Sequence, residues 1–177
     1  MLKRQTIYFI TIILLSLALT GCSSKPEQTT QEKGTTFAKT GIRFDCPVGW
    51  AITSDKQTLE NEYLTICEKD GEYESGLFMA KWTTNPISEM DMLELLQKYY
   101  QETYGTIAGL TIDFDKIDKK KNKVEYAFSA NDVKHRGWIE IKKCPGLTAG
   151  LFFQYAKADY SRYKNDFETI KNSFGCL

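Results

Sequence analysis

Chemistry in this chain can be carried by five cysteines, one histidine and a scatter of carboxylates. Four thiols, Cys46, Cys67, Cys144 and Cys176, stand singly and far apart. Without a Cys-x-x-Cys pair they form no thioredoxin-like redox motif, and without closely spaced ligand pairs they form no structural zinc site. Outside a reducing cytosol an even number of scattered cysteines predicts two disulfides, for which three pairings exist. The preferred one joins Cys46 to Cys67 and Cys144 to Cys176, tying the first strands together and the end of the last helix to a late strand. His135 follows a turn at the start of a strand. Ser129 and Asp132 are its neighbours only along a hairpin, and no Gly-x-Ser-x-Gly elbow is present, so no triad is expected. Asp113, Asp115 and Asp118 suit a hard cation by type. A calcium loop would need glycine and glutamate where Asp118 and Val124 stand, so no metal is expected. Asp113 and Asp115 read as the outward face of a strand whose inward face is Ile112, Phe114 and Ile117. Glu60, Glu62, Glu68, Glu72 and Glu74 could supply a hydrolase with paired acids, an alternative that sequence spacing does not test. No catalytic residue and no cofactor is assigned.

The fifth cysteine has a different setting. Lys3 and Arg4 open the chain, an apolar run follows from about Ile7 to Leu19, and small residues lead to Cys22. That run falls short of the roughly 20 apolar residues a membrane-spanning helix needs. A basic start, a short apolar stretch and a small-residue cut describe an export signal over residues 1–21. Residues 23–36 contain no large apolar side chain and read, with Cys22, as a flexible tether. From residue 37 to 177, about 141 residues make one domain of ordinary size. Removing Lys3 and Arg4 leaves 21 basic against 23 acidic residues, a net charge near −2. This balance offers no electrostatic footprint for nucleic acid. The run Lys119-Lys120-Lys121 reads as a solvated turn, and Lys142-Lys143 as an outward-facing strand end.

The elements follow from periodicity. Ile42, Phe44 and Cys46 alternate with Arg43 and Asp45, a half-buried strand ended by Pro47 and Gly49, after which Trp50-Ala51-Ile52 continues. Further strands are expected at Tyr63 to Cys67 and Gly76 to Trp82, with a turn at Lys69-Asp70-Gly71, and at Leu110 to Ile117, Lys123 to Ser129, His135 to Lys142 and Leu151 to Ala156. Gly146 and Gly150 bracket the connection into the last of these. Ser88 and Asp91 form a capping box for a helix that ends before Gly105 and packs Leu93, Leu96, Tyr100 and Tyr104. A second helix, Asp159 to Phe174, carries the stripe Tyr163, Phe167, Ile170 and Phe174. Short polar links favour hairpins, so the sheet should be largely antiparallel. Aromatic residues are numerous, with 3 Trp, 10 Tyr and 10 Phe. A sheet covered on both faces could bury both Phe152 and Phe153, which point oppositely. Tyr99, beside the core-facing Tyr100, and Trp82 are candidates for an exposed contact surface.

Two resemblances add to this reading. Leu19-Thr20-Gly21-Cys22 resembles the lipobox of bacterial lipoproteins, which implies cleavage before Cys22 and its acylation. The implied partner is the bilayer, of a cell membrane or an outer membrane, with the domain outside the cytoplasm. The opening Ile42-x-Phe44-x-x-Pro47-x-Gly49-Trp50 belongs to the second resemblance. So do the meander of Val124 to Phe128, Gly137 to Ile141 and Leu151 to Tyr155, and the closing Phe167-Glu168-Thr169-Ile170-Lys171-Asn172-Ser173-Phe174. In order they resemble the PsbP-like superfamily, which takes in bacterial lipoproteins of the DcrB type. That resemblance implies an α+β fold: an α/β/α sandwich with a largely antiparallel sheet of about six or seven strands and helices on both faces. It also implies a module of binding or assembly with an envelope protein partner rather than an enzyme. The four scattered cysteines are not part of the superfamily pattern. A hydrolase and a small-ligand carrier are the alternatives, the carrier requiring an enclosed apolar cavity between sheet and helix.

Overall fold

A computed structural model describes residues 34–69, 76–85, 87–105 and 110–177. The export signal, Cys22, most of the tether, the Asp70-Gly71 turn, Glu72, Glu74 and the Tyr104 side chain lie outside the described residues.

Ten strands and two helices are described. A three-stranded sheet is formed by β1 (Thr35–Lys39), β2 (Ile42–Cys46) and β10 (Gly175–Cys176), in the order β1-β2-β10. A seven-stranded sheet contains β3 (Trp50–Leu59), β4 (Glu62–Lys69), β5 (Gly76–Thr83), β6 (Asp113–Phe114), β7 (Lys123–Ala130), β8 (Val133–Cys144) and β9 (Leu147–Ala156). Its order is β3-β4-β5-β9-β8-β7-β6, and every pairing is antiparallel. Helix α1 (Glu89–Tyr104) lies on one face, and α2 (Tyr160–Ser173) lies with the small sheet on the other.

The central strands β5 and β9 are buried along almost their whole length, because both of their faces are covered. Phe152 points to the α1 side and Phe153 to the α2 side, and neither is exposed. Met92, Leu93, Leu96 and Tyr100 of α1 pack on Phe152, Ile139 and Tyr126. Ser88 accepts the Asp91 backbone N–H at 3.1 Å and caps the helix as its sequence predicts. On the opposite side Tyr163, Phe167 and Ile170 of α2 meet Trp50, Phe78 and Phe153, together with Phe44 and Ile42 of the small sheet.

The structure differs from the sequence expectations at definite places. The tether ends earlier than residue 36, since Thr35 and Thr36 pair with Cys46 and Asp45 in β1. Strands β2 and β3 do not continue one sheet, because the Pro47–Gly49 turn carries the chain from the small sheet to the edge of the large one. The expected strand from Leu110 to Ile117 contracts to β6, where only two residues pair with β7. Gly150 is no loop residue. It lies within β9, where a Cβ would overlap Leu96 Cδ1, so its hydrogen is what lets α1 approach the sheet. The Asn131-Asp132 turn between β7 and β8 has both residues at positive φ, 49° and 63°, as a two-residue hairpin requires.

Candidate functional site

Helix α2 and the small sheet do not cover the whole of their face. Strands β6, β7 and β8 extend beyond α2, and the step between helix and bare sheet forms a cavity of about 680 Å³. That volume falls within the range of ligand sites, roughly 300–1,000 Å³.

The floor follows from the antiparallel register, since directly paired residues share a face. One row runs Asp113, Ala127, Arg136, Tyr155 across β6, β7, β8 and β9. Beside it run Asp115, Glu125, Trp138 and Phe153, the first two joined by the Asp115 N–H donating to the Glu125 carbonyl at 2.9 Å. The third pairs Lys123 with Glu140. The wall is aromatic. Trp138 stacks on Phe153 at 4.7 Å and meets Phe167 edge-on, while Tyr155 is tilted against Tyr160 at 4.8 Å. Glu168 and Lys171 of α2 form the rim.

Many of the charges here are already engaged. Lys123 Nζ sits 2.7 Å from Glu125 Oε1 and 5.1 Å over the Trp138 ring. Glu140 holds Lys142 at 2.6 Å and Lys171 at 3.8 Å, and Lys171 reaches Glu168 at 3.8 Å. Burial raises the Tyr155 phenol above its ordinary value of 10.0. Tyr160 and Glu125 add to the rise, and Arg136 works against it. A second hollow of about 340 Å³ adjoins the first and shares Asp113, Ala127 and Arg136 with it.

The residues singled out from sequence are placed as follows. Cys46 and Cys67 lie at disulfide distance, as do Cys144 and Cys176. Trp82 is not a contact residue, and that expectation is corrected: its ring is 0% exposed between Phe37 and Tyr63, and its indole donates to the Thr40 carbonyl at 3.0 Å. The small sheet covers it, a layer the local sequence around Trp82 does not announce. Tyr99 is partly exposed on the α1 side, with Lys81 Nζ 4.0 Å over its ring. His135 is 4% exposed and stacks on Phe128 at 4.7 Å. Its alternation with Gly137 and Ile139 turns it to the α1 side, and it lines the smaller hollow of about 340 Å³ rather than the larger cavity. Asp118 accepts the Lys120 and Lys121 backbone N–H groups. Desolvation raises its pKa, but those amides and the Lys121 ammonium outweigh it, so the carboxyl sits below its ordinary value. Glu62 pairs with Lys81 at 3.2 Å, and Glu68 is buried on the same strand. Six residues of strand separate Glu62 from Glu68 by about 20 Å, too far for two carboxylates to share a glycosidic bond. Among the described residues no group of three His, Cys, Asp or Glu converges as a metal requires.

Sequence reasoning placed Asp113 and Asp115 on an outward face but did not join them to Arg136, Trp138, Tyr155 and Tyr160. The available signal was the alternation Lys123, Glu125, Ala127 and Arg136, Trp138, Glu140 on one face of a predicted hairpin. A face so polar reads as solvated until the step beside α2 is known.

No family model matches the chain, and no curated protein matches its sequence. Among solved structures, the chain is similar to the solution structure of cyanobacterial PsbP (CyanoP) from Synechocystis sp. PCC 6803. The TM-score is 0.52 and identity 14%, over 84% of this chain and 96% of that one. This likeness concerns the fold, which is α+β and PsbP-like. Two other matches are a point mutant of the protein Mog1 and LpqN, the latter described as involved in cell envelope biogenesis of Mycobacterium tuberculosis. The Mog1 mutant has a TM-score of 0.43 and 9% identity, over 81% of this chain and 96% of that one. LpqN has a TM-score of 0.36 and 10% identity, over 84% and 87%.

Proposed function

We propose that this chain is an exported lipoprotein, acylated at Cys22, that serves the cell envelope as a non-catalytic binding or assembly module. It binds through the cavity between α2 and the exposed part of the sheet. The single observation that carries the binding role is that cavity, about 680 Å³, with an aromatic wall and a charged floor fixed by strand register. A rigid sheet floor holds its side chains in place before a ligand arrives, which lowers the ordering cost of binding. The non-catalytic reading is supported by the engagement of Glu125, Glu140 and Glu168 with lysines. Anchoring is supported by the sequence of residues 1–22. No helix among the described residues is long and apolar enough to cross a membrane. Several acyl chains on one cysteine would hold the domain at a bilayer, since each buried methylene adds about 0.8 kcal/mol.

The test uses a photo-crosslinking residue at Tyr160, on the rim, and a control at Lys56, on β3. In native membranes the rim position is expected to trap a partner that the control does not, and Ala127→Phe should abolish the adduct. Equal trapping at both positions, or indifference to Ala127→Phe, would refute the binding site. Labelled palmitate should enter the wild type and not Cys22→Ser.

A further inference from the structure

We propose that the Ala127 row takes a small zwitterion, a molecule carrying an ammonium and an oxyanion a few ångströms apart. This rests on the reading of the cavity as the binding site and names the class of ligand. Lys123 and Glu125 neutralise one another, and Lys171 is held between Glu140 and Glu168. Asp113, Asp115 and Arg136 are different. Among the described residues their side chains form no ion pair and no hydrogen bond, although all three line the cavity. Asp113 and Arg136 flank Ala127 on the same face, each directly paired with it. The alanine methyl leaves the gap between them open, and this row is where the two hollows merge.

The pairing of charges sets the ligand class. Two strand spacings put the Asp113 and Arg136 backbones about 9.5 Å apart, with only the Ala127 methyl between them. With a carboxylate on one side of that gap and a guanidinium on the other, a molecule that carries its own ammonium and oxyanion can make a charge-assisted hydrogen bond at each end. A short peptide with free ends and phosphoethanolamine are both of this kind. A lone cation placed here would face Arg136, and a lone anion would face Asp113 and Asp115. A neutral polyhydroxylated ligand would leave both opposite charges uncompensated. Only a ligand carrying both signs meets the whole row, with Tyr155 at its end supplying an apolar ring edge.

The experiment follows the amide resonances of Asp113, Ala127 and Arg136 in the full lipidated protein in nanodiscs of phosphatidylglycerol, a lipid with no cationic group. Dialanine and O-phosphoethanolamine are the soluble probes, and nanodiscs containing phosphatidylethanolamine are the lipid probe. At least one of the three should shift these resonances, and which one does so separates a free peptide end from a lipid headgroup. For the peptide, N-acetyl-dialanine and dialanine amide should each bind at least tenfold more weakly. For the headgroup, N-acetyl-phosphoethanolamine should lose at least tenfold. Asp113→Asn and Arg136→Gln, both at exposed positions, should each lose at least tenfold, and the exchanged double variant Asp113→Arg with Arg136→Asp should recover binding. The proposal is overturned if none of the three probes shifts the row, if the blocked compounds bind as well as the zwitterions, or if cellotetraose binds in their place. If it is overturned while Ala127→Phe still abolishes the Tyr160 adduct, the ligand class is wrong and the binding site stands.

Discussion

At the scale of single residues, close approach and burial decide what can be changed. Gly150 has no room for a methyl group, because Leu96 Cδ1 occupies the space. Gly150→Ala should destabilise the protein by about 1–3 kcal/mol through overpacking. Leu96→Ala in the same background should remove that clash, so a double-mutant cycle in urea should give a coupling above about 0.5 kcal/mol. Gly137 is similar, a Cβ there meeting the Tyr126 ring at 2.5 Å. Tyr155 gives a pH signature. Its phenol is raised in the folded protein, so between the unfolded value near 10 and the folded value the native state retains a proton that the unfolded chain has lost. The stabilisation is complete below pH 10 and is lost as pH rises through the folded value. Tyr155→Phe should therefore remove a phase of the phenolate absorbance titration that lies above the ordinary tyrosine range and flatten the alkaline fall in stability. The sequence offered Gly150 as turn punctuation. Its actual reason, the approach of a helix from about fifty residues earlier, is a tertiary contact that no local pattern encodes.

At the scale of elements, legibility follows locality. The α2 stripe of Tyr163, Phe167 and Ile170 and the Ser88 cap were readable because each is closed within one or two helical turns. Ser88→Ala should cost about 1 kcal/mol, seen as a lowered urea midpoint with an unchanged slope. Strands β1 and β10 were not readable. Thr35–Lys39 has one buried apolar residue, Phe37, and Gly175–Cys176 is a strand only because β2 lies beside it. The disulfides anchor this non-local layer. Cys46 and Cys67 are fully buried, whereas Cys176 is exposed and tied to Cys144 at the end of β8. A mild reductant followed by alkylation and mass spectrometry should label Cys144 and Cys176 first. By loop entropy a separation of 32 residues corresponds to about 4 kcal/mol, so a Cys144→Ser, Cys176→Ser double variant should fall by up to that amount. The seven-stranded sheet should survive, since its ladders do not depend on β10.

At the scale of the molecule, one sheet serves two cores. The α1 side and the α2 side both draw on β5 and β9, so neither can be dismantled alone. Leu93→Ala on one side and Phe167→Ala on the other should each cost about 2–5 kcal/mol. Both should lower a single unfolding midpoint, with near-ultraviolet and far-ultraviolet circular dichroism remaining coincident. Two separate transitions would contradict the shared sheet. The sandwich and its antiparallel order were legible because hairpin turns and alternating strands are local. The cavity was not, because it arises where α2 stops short of β6 and β7, and helix length against sheet width is a property of the assembled layers.

The placement of β10 has a further result. Cys176 in β10 is linked to Cys144 at the end of β8, in the long hairpin formed by β8 and β9. An exopeptidase working inward from the carboxyl side would meet a branched, crosslinked position at Cys176. Trimming from that end should stop there under oxidising conditions and resume when the bond is cut.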